Sequence, residues 1–416
     1  MIEIRTLSNG ATIIMERTDF VRSAALGIWV RTGSSHENED NSGVSHFIEH
    51  MMFKGTGTRS ARQIAEDVDR IGGMSNAFTG KEATCYYIKT LSSNIYQGAE
   101  ILLDMLTDSA FAEEEMDKER QVILEEIKMI RDTPDEDVMD MISELVNGQN
   151  AIGRTILGTP ESLAGIDREK LTAYFRNEYS CDSIVIAVAG NFDPDRIQAL
   201  FEKGLEPLNR EKPAFAPGAF PYEQQIEVKV KEIEQTHLCM AIPSVSLADD
   251  RYYAFVLMSS IFGGSMSSRL FQNIREERGL AYSVASMNAF ASASGFFNIY
   301  AGVAHEKTEE TIGAIKEEIG RLKAEGVTEE ELAMAKEQVK SSYIFGLENI
   351  NSRMFNIGKN KLLLDRVYEA DEILSSFDAV TTDDILQAAQ LIGNARDYSA
   401  AAVTGKEFDL EGMIRA

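Results

Sequence analysis

The two halves of this 416-residue chain carry the same order of elements, and that duplication limits the fold more than any other feature. The first half opens with the strand patterns Thr12-Ile13-Ile14-Met15 and Leu26-Gly27-Ile28-Trp29-Val30. A helix through His46 to Phe53, a Gly/Thr/Ser turn and a helix over about 61–71 follow. Strands over about 75–89 come next, and then helices dominate. The half ends with a helix near 170–176, the strand Ile184-Val185-Ile186-Ala187-Val188 and a short helix near 195–201. The second half repeats the plan. It has strands near 226–230 and 237–242, a helix over 252–262, the turn Gly263-Gly264-Ser265-Met266-Ser267-Ser268 and a helix over 270–277. Strands and long helices follow, then a helix at 384–392 and the strand Ser399-Ala400-Ala401-Ala402-Val403. Regular β-α-β alternation is absent, so the pattern predicts α+β rather than doubly wound α/β. The expected architecture is two homologous domains, each a mainly antiparallel sheet packed with helices. The length suits two domains of about 200 residues each. Pro207, Pro213, Pro217 and Pro221, with Gly218, mark a linker. The expected boundaries are 1–206, 207–222 and 223–416.

The copies part company at His46-Phe47-Ile48-Glu49-His50. Phe53 and Phe262 set the register, since each is followed by a small-residue turn and an arginine. His46, Glu49 and His50 then fall opposite Phe255, Met258 and Ser259, so only the first copy carries this chemistry. Histidines four apart on a helix share a face. Neutral imidazole nitrogens at that spacing can take two of the four tetrahedral positions around zinc. Glu49 lies on the same side of the helix. A catalytic zinc site needs a third protein ligand, and the stretch 113–131 offers one. There Glu119 and Glu126 share a helical face with Val122, Ile123 and Ile130, while Glu125 points about 100° away. Two carboxylates on an apolar face are costly unless a cation neutralises them. This assigns Glu126 as the third ligand and Glu119 as an acceptor that fixes the tautomer of one histidine.

H-x-x-E-H followed by Glu119 and Glu126 resembles the inverzincin pattern of the insulinase/pitrilysin superfamily of zinc endopeptidases. The resemblance covers the whole chain and is greatest to bacterial two-domain, processing-peptidase-like members. It implies one zinc ion per subunit and cleavage of peptides or unfolded segments by metal-activated water, with Glu49 as general base. Met74-Ser75-Asn76-Ala77-Phe78-Thr79 looks like the family's substrate-binding strand, which implies peptide contacts for Asn76, Ala77 and Phe78. The segment from Arg275 to Val284 is similar to the family's second-copy motif, which makes Arg275 and Tyr282 transition-state or substrate contacts. Arg269 and the Gly263–Ser268 turn resemble a glycine-rich substrate loop. Family members that act alone carry four such domains and close as a clamshell, of which this chain would be one half. The resemblance therefore implies a homodimer with composite sites, each combining domain one of one subunit with domain two of the other. The rival reading is a noncatalytic peptide-binding or assembly subunit of the same fold.

Composition narrows the partners. Sixty-seven acidic against 41 basic residues give a formal charge of -26, which repels a polyanion and argues against nucleic acid. No apolar run reaches the length of a membrane span. Cys85, Cys181 and Cys239 form no C-x-x-C pair and read as buried thiols in a reducing compartment. The first residues enter strand alternation with no signal-peptide pattern, so a cytoplasmic location is expected. His36, His237 and His305 lack ligand spacing and read as structural.

Overall fold

The computed structural model describes residues 2–148, 150–208 and 221–416. They divide into two units. Unit one comprises residues 2–127, 154–208 and 344–369. Its strands are β1 (Ile2–Thr6), β2 (Thr12–Arg17), β3 (Ser23–Val30), β4 (Met74–Thr79), β5 (Thr84–Leu91) and β6 (Ile184–Gly190). They run in the order β1-β2-β6-β3-β5-β4. The β2–β6 pair is parallel and the others are antiparallel. β6, with the sequence IVIAVAG, is buried along its whole length, as a continuous apolar strand must be when both sheet faces are covered.

The helices of the first half begin with α1 (Val44–Met52), α2 (Ala61–Arg70), α3 (Ile95–Asp108), α4 (Glu113–Asp132) and α5 (Pro134–Asn147). α1 and α3 share one core with the sheet through Phe47, Ile48, Leu102, Leu26 and Ile88. The other face is covered by the helix Ile350–Leu364, which sets Met354 and Ile357 among Ile14, Trp29 and Val185. The approach is close. A Cβ on Gly358 would stand 2.2 Å from Trp29 Nε1, so only glycine lets this helix rest on the indole.

Unit two comprises residues 128–148, 150–153, 221–343 and 370–416. Its strands are β7 (Ile226–Val230), β8 (Gln235–Pro243), β9 (Ala281–Phe290), β10 (Gly295–Ala304) and β11 (Ser399–Thr404). Their order is β7-β11-β8-β10-β9, again with one parallel pair, β7–β11. This is the first sheet without β1, so the duplication read from sequence is a duplication of topology. α5 covers one face, packing Val138 and Ile142 with Cys239, Ala241, Ala401 and Val403. The helix Tyr252–Gly263 lies along β9. Each sheet draws its strands from one half of the chain, and each unit takes one covering helix from the other half: α5 in unit two, Ile350–Leu364 in unit one. Most of the proline-rich stretch 207–222 lies outside the described residues.

Candidate metal centre

α1 is amphipathic. Phe47, Ile48, Met51 and Met52 enter the core, while His46, Glu49 and His50 stay half-buried. The imidazole centroids are 4.5 Å apart. α4 brings the carboxylates. Its buried residues are Met116, Glu119, Ile123 and Ile127, which leaves Glu126 at the stripe's edge. Val122, expected to face inward, is 44% exposed. The stripe centres near Ile123, and the adjacent residue falls about 100° away.

Glu126 Oε2 lies 3.5 Å from His50 Nε2 and 3.7 Å from His46 Nε2. Among the described residues, His46, His50 and Glu126 form the one group of this kind, with ligand atoms all within 4.8 Å. Glu126 Oε2 is buried and has no hydrogen-bond donor, a costly state for a carboxylate oxygen unless a cation faces it. Tetrahedral zinc with bonds of about 2.0–2.1 Å holds its ligands roughly 3.3 Å apart, close to the two distances from Glu126 to the histidines. Burial, and then the neighbouring His50, push His46 down to about 3, so its ring is neutral and can offer a lone pair. The donor set fits zinc.

Glu119 is buried on α4. Its Oε2 is 3.0 Å from His50 Nδ1, and its Oε1 is 2.6 Å from Lys54 Nζ. With Nδ1–H donating to Glu119, the Nε2 lone pair of His50 is turned toward Glu126. Glu49 Oε2 accepts from Thr79 Oγ1 at 2.5 Å. Burial raises the Glu49 carboxyl above its ordinary range, and the Thr79 hydroxyl opposes that rise. Sequence reasoning missed the contacts of Thr79 with Glu49 and of Lys54 with Glu119, because neither shows as a spacing along the chain.

Thr79 ends β4, which among the described residues is an edge strand bonded only to β5. The free edge of the sheet therefore ends at Glu49. Along it Ala77 enters the core. Asn76 is exposed, and its Oδ1 accepts from the Ala77 amide. Phe78 packs on the opposite face against Trp29, Tyr87 and Phe355. In unit two the segment expected as an ordinary helix over 270–277 is a π-helix, Phe271–Glu277. The Arg275 guanidinium stands 4.7 Å from the Phe271 ring centroid and 5.7 Å from that of Tyr282. Arg275 and Tyr282 are thus brought together, with Tyr282 76% exposed on β9, the edge strand that matches β4. Arg269 is committed elsewhere, to both oxygens of Glu331 at 2.7 and 2.8 Å. His305 Nδ1 meets Thr236 Oγ1 at 2.8 Å, and His237 Nδ1 meets Tyr300 at 2.9 Å. Cys85, Cys181 and Cys239 are buried and form no disulfide among the described residues. No helix among the described residues is long and apolar enough to cross a membrane.

Fold and site together define a duplicated α+β protein with a two-histidine, one-glutamate cluster that could hold a metal ion in its first copy. Residues 12–160 match the family model described as insulinase, peptidase family M16, and residues 165–339 match that of the peptidase M16 inactive domain. The uncharacterized zinc protease YmxG of Bacillus subtilis is 40% identical over 410 residues, 97% of this chain and 98% of that protein. An uncharacterized zinc protease of Rickettsia felis is 38% identical over 414 residues, 99% and 98% of the two chains. A Pseudomonas fluorescens structure described as a peptidase M16 inactive domain superposes with a TM-score of 0.91 at 18% identity, covering 98% of both chains. A Helicobacter pylori protease gives 0.89 at 20% identity, covering 97% and 99%. The chain belongs to the insulinase family, peptidase family M16.

Proposed function

We propose that the chain is a zinc metalloendopeptidase acting on peptides or unfolded protein segments. The observation that carries this is the donorless Glu126 Oε2 facing two histidine Nε2 atoms, on the helix that also carries the Thr79-bound carboxylate of Glu49. His46, His50 and Glu126 hold one zinc ion per subunit. Zinc there supplies a Lewis acid that polarises a carbonyl and acidifies water. Glu49 takes a proton from the attacking water and returns it to the leaving amine nitrogen as the C–N bond breaks. The free edge of β4, at Asn76, Ala77 and Phe78, pairs with an extended peptide through the main chain, which tolerates many sequences. Arg275 and Tyr282 hold the peptide or stabilise developing negative charge.

Two features support a homodimer with composite sites: this chain carries both the metal motif and the Arg275/Tyr282 pair, and a two-fold pairing would use both. Mixing inactive Glu49→Gln protein with inactive Arg275→Ala/Tyr282→Ala protein restores activity on this reading; silence despite proven subunit exchange rejects it. Buried cysteines without a disulfide among the described residues support a reducing, cytoplasmic setting. The decisive experiment is metal analysis with cleavage of a quenched-peptide library, with and without chelator. The matched description of residues 165–339 as an inactive domain favours keeping one rival, a noncatalytic peptide-binding subunit. Zinc-free protein that binds peptides without cutting them would establish that rival.

A further inference from the structure

The two histidine ligands are held in different ways. His50 has its Nδ1 fixed by Glu119 at 3.0 Å. Among the described residues His46 Nδ1 is buried with no hydrogen-bond partner, so no side-chain hydrogen bond orients that ring, and packing and the backbone hold it. That backbone lies in the first turn of the helix. His46 is the third residue of a nine-residue helix, and first-turn amides have no acceptor within their own helix. The N-cap position, Gly43, has no side chain to cap with, and none would fit. Its φ is 91°, and a Cβ would lie 2.6 Å from the Leu157 carbonyl oxygen.

The cap comes instead from Glu37. Its Oε2 accepts from the Gly43 amide at 2.7 Å and its Oε1 from the Ser45 amide at 2.8 Å. Glu37 is only 4% exposed and is itself tied down, because its carbonyl accepts from Arg154 Nη1 at 2.6 Å. Ser45 Oγ meets Tyr174 Oη at 3.0 Å, which in turn meets Thr32 Oγ1 at 3.1 Å. A buried carboxylate is an expensive cap. α2 of the same unit manages with Ser60 and Gln63.

We propose that Glu37 is a positioning residue of the metal centre. It pins the first turn of α1 and thereby sets His46 Nε2, on the ring that no side-chain hydrogen bond orients. It touches neither substrate nor metal, and the assignment rests on the zinc reading above. The test uses full-length Glu37→Ala, Glu37→Gln and Glu37→Asp at pH 8, with Ser60→Ala as a control that removes a helix cap outside the site. Zinc affinity is measured by chelator competition, kcat and KM at saturating zinc, and amide exchange of residues 43–52 in metal-free protein. The zinc Kd of Glu37→Ala rises roughly 10- to 100-fold. Its kcat falls while KM stays within about twofold, and exchange quickens at residues 43–46 but not at 48–52. Glu37→Gln, which keeps one acceptor oxygen, lies between. Ser60→Ala lowers the melting temperature and leaves zinc affinity unchanged. Should Glu37→Ala fail to fold, the Asp and Gln variants decide. Wild-type zinc affinity in every folded Glu37 variant, or an equal loss in Ser60→Ala, overturns the assignment. Wild-type protein that takes no zinc counts against the peptidase reading instead, and the exchange pattern then judges whether Glu37 holds the first turn.

Discussion

α1 and the helix Tyr252–Gly263 fill the same slot in two copies of one sheet topology, with opposite chemistry. At the positions of His46, Glu49 and His50 the second helix has Phe255, Met258 and Ser259, all buried. The one polar residue of these three is satisfied locally, since Ser259 shares hydrogen bonds with Ser286. The default filling of this slot is apolar. α1 departs from it on one face only and keeps Phe47, Ile48, Met51 and Met52 in the core. Polar groups in such a slot are a burden unless something binds them. The second copy shows how the slot is filled without that purpose.

The largest effect should come from Glu49, the one of these three α1 residues not assigned to metal. Glu49→Gln should lower turnover by about 10³-fold or more while metal analysis still finds zinc. A zinc-loaded variant that cleaves at the wild-type rate would remove Glu49 from the chemistry. The comparison can also be broken directly, by rewriting α1 as its counterpart with His46→Phe, Glu49→Met and His50→Ser. Zinc binding should vanish, and denaturant titration of metal-free protein should show a gain of about 1–2 kcal/mol, as when buried polar clusters are replaced by apolar groups. The reverse change, Phe255→His, should cost about 3 kcal/mol and bring no zinc. A neutral Phe255→His would show that the slot does not demand apolar filling.

The sequence carried the parts of this arrangement that depend on local periodicity. The four-residue spacing of His46 and His50, the seven-residue spacing of Glu119 and Glu126, and the matched order of strands in two halves all repeat at fixed intervals along the chain. Contacts between distant segments left no such trace. Thr79 reaches Glu49 because β4 ends beside α1. Lys54 reaches Glu119 because α4 packs there. Glu37 reaches α1 through a turn whose geometry depends on Gly43 and on the loop at Leu157. Val122 shows a related limit, since a wheel fixes the spacing of residues but not the rotation of the helix. The crossing of α5 and Ile350–Leu364 between the two halves of the chain is likewise a matter of tertiary packing, hinted at only by Gly358, which meets Trp29.

Glu37 gives a pH test of how the α1 slot tolerates charge. Burial raises its carboxyl to about 7 from 4.5, against the backbone hydrogen bonds of Ser45 and Gly43 and the charge of Arg154. Tyr174, the other titratable group facing it, is itself driven well above its ordinary range by burial and stays neutral. Between pH 4.5 and 7 the folded chain holds a proton there that the unfolded chain has lost. Stability from this site is therefore fully present below about 4.5 and declines as pH rises through 7, by about 3 kcal/mol at most. Glu37→Gln removes the titration. The stability difference between wild type and this variant, measured on metal-free protein by denaturant, should move against the wild type across that window. A difference that stays flat with pH would mean that Glu37 ionises as freely folded as unfolded.

The smallest effects should sharpen the contrast between the two ligands of α1. His50 leans on Glu119, and Glu119 also carries Lys54 at 2.6 Å. Glu119→Gln keeps the shape but removes the charge that holds His50 Nδ1–H, and zinc affinity should fall about 10- to 100-fold. Lys54 is half-buried and acts on the metal only through Glu119. Lys54→Ala should therefore weaken zinc by less than about 10-fold. In a Glu119→Gln background it should add almost nothing, because neighbours in one network do not contribute independently. Chelator competition on the two single variants and the double variant measures this. If the losses simply add, Lys54 reaches the metal by a route other than Glu119, and His50 is held by more than one carboxylate.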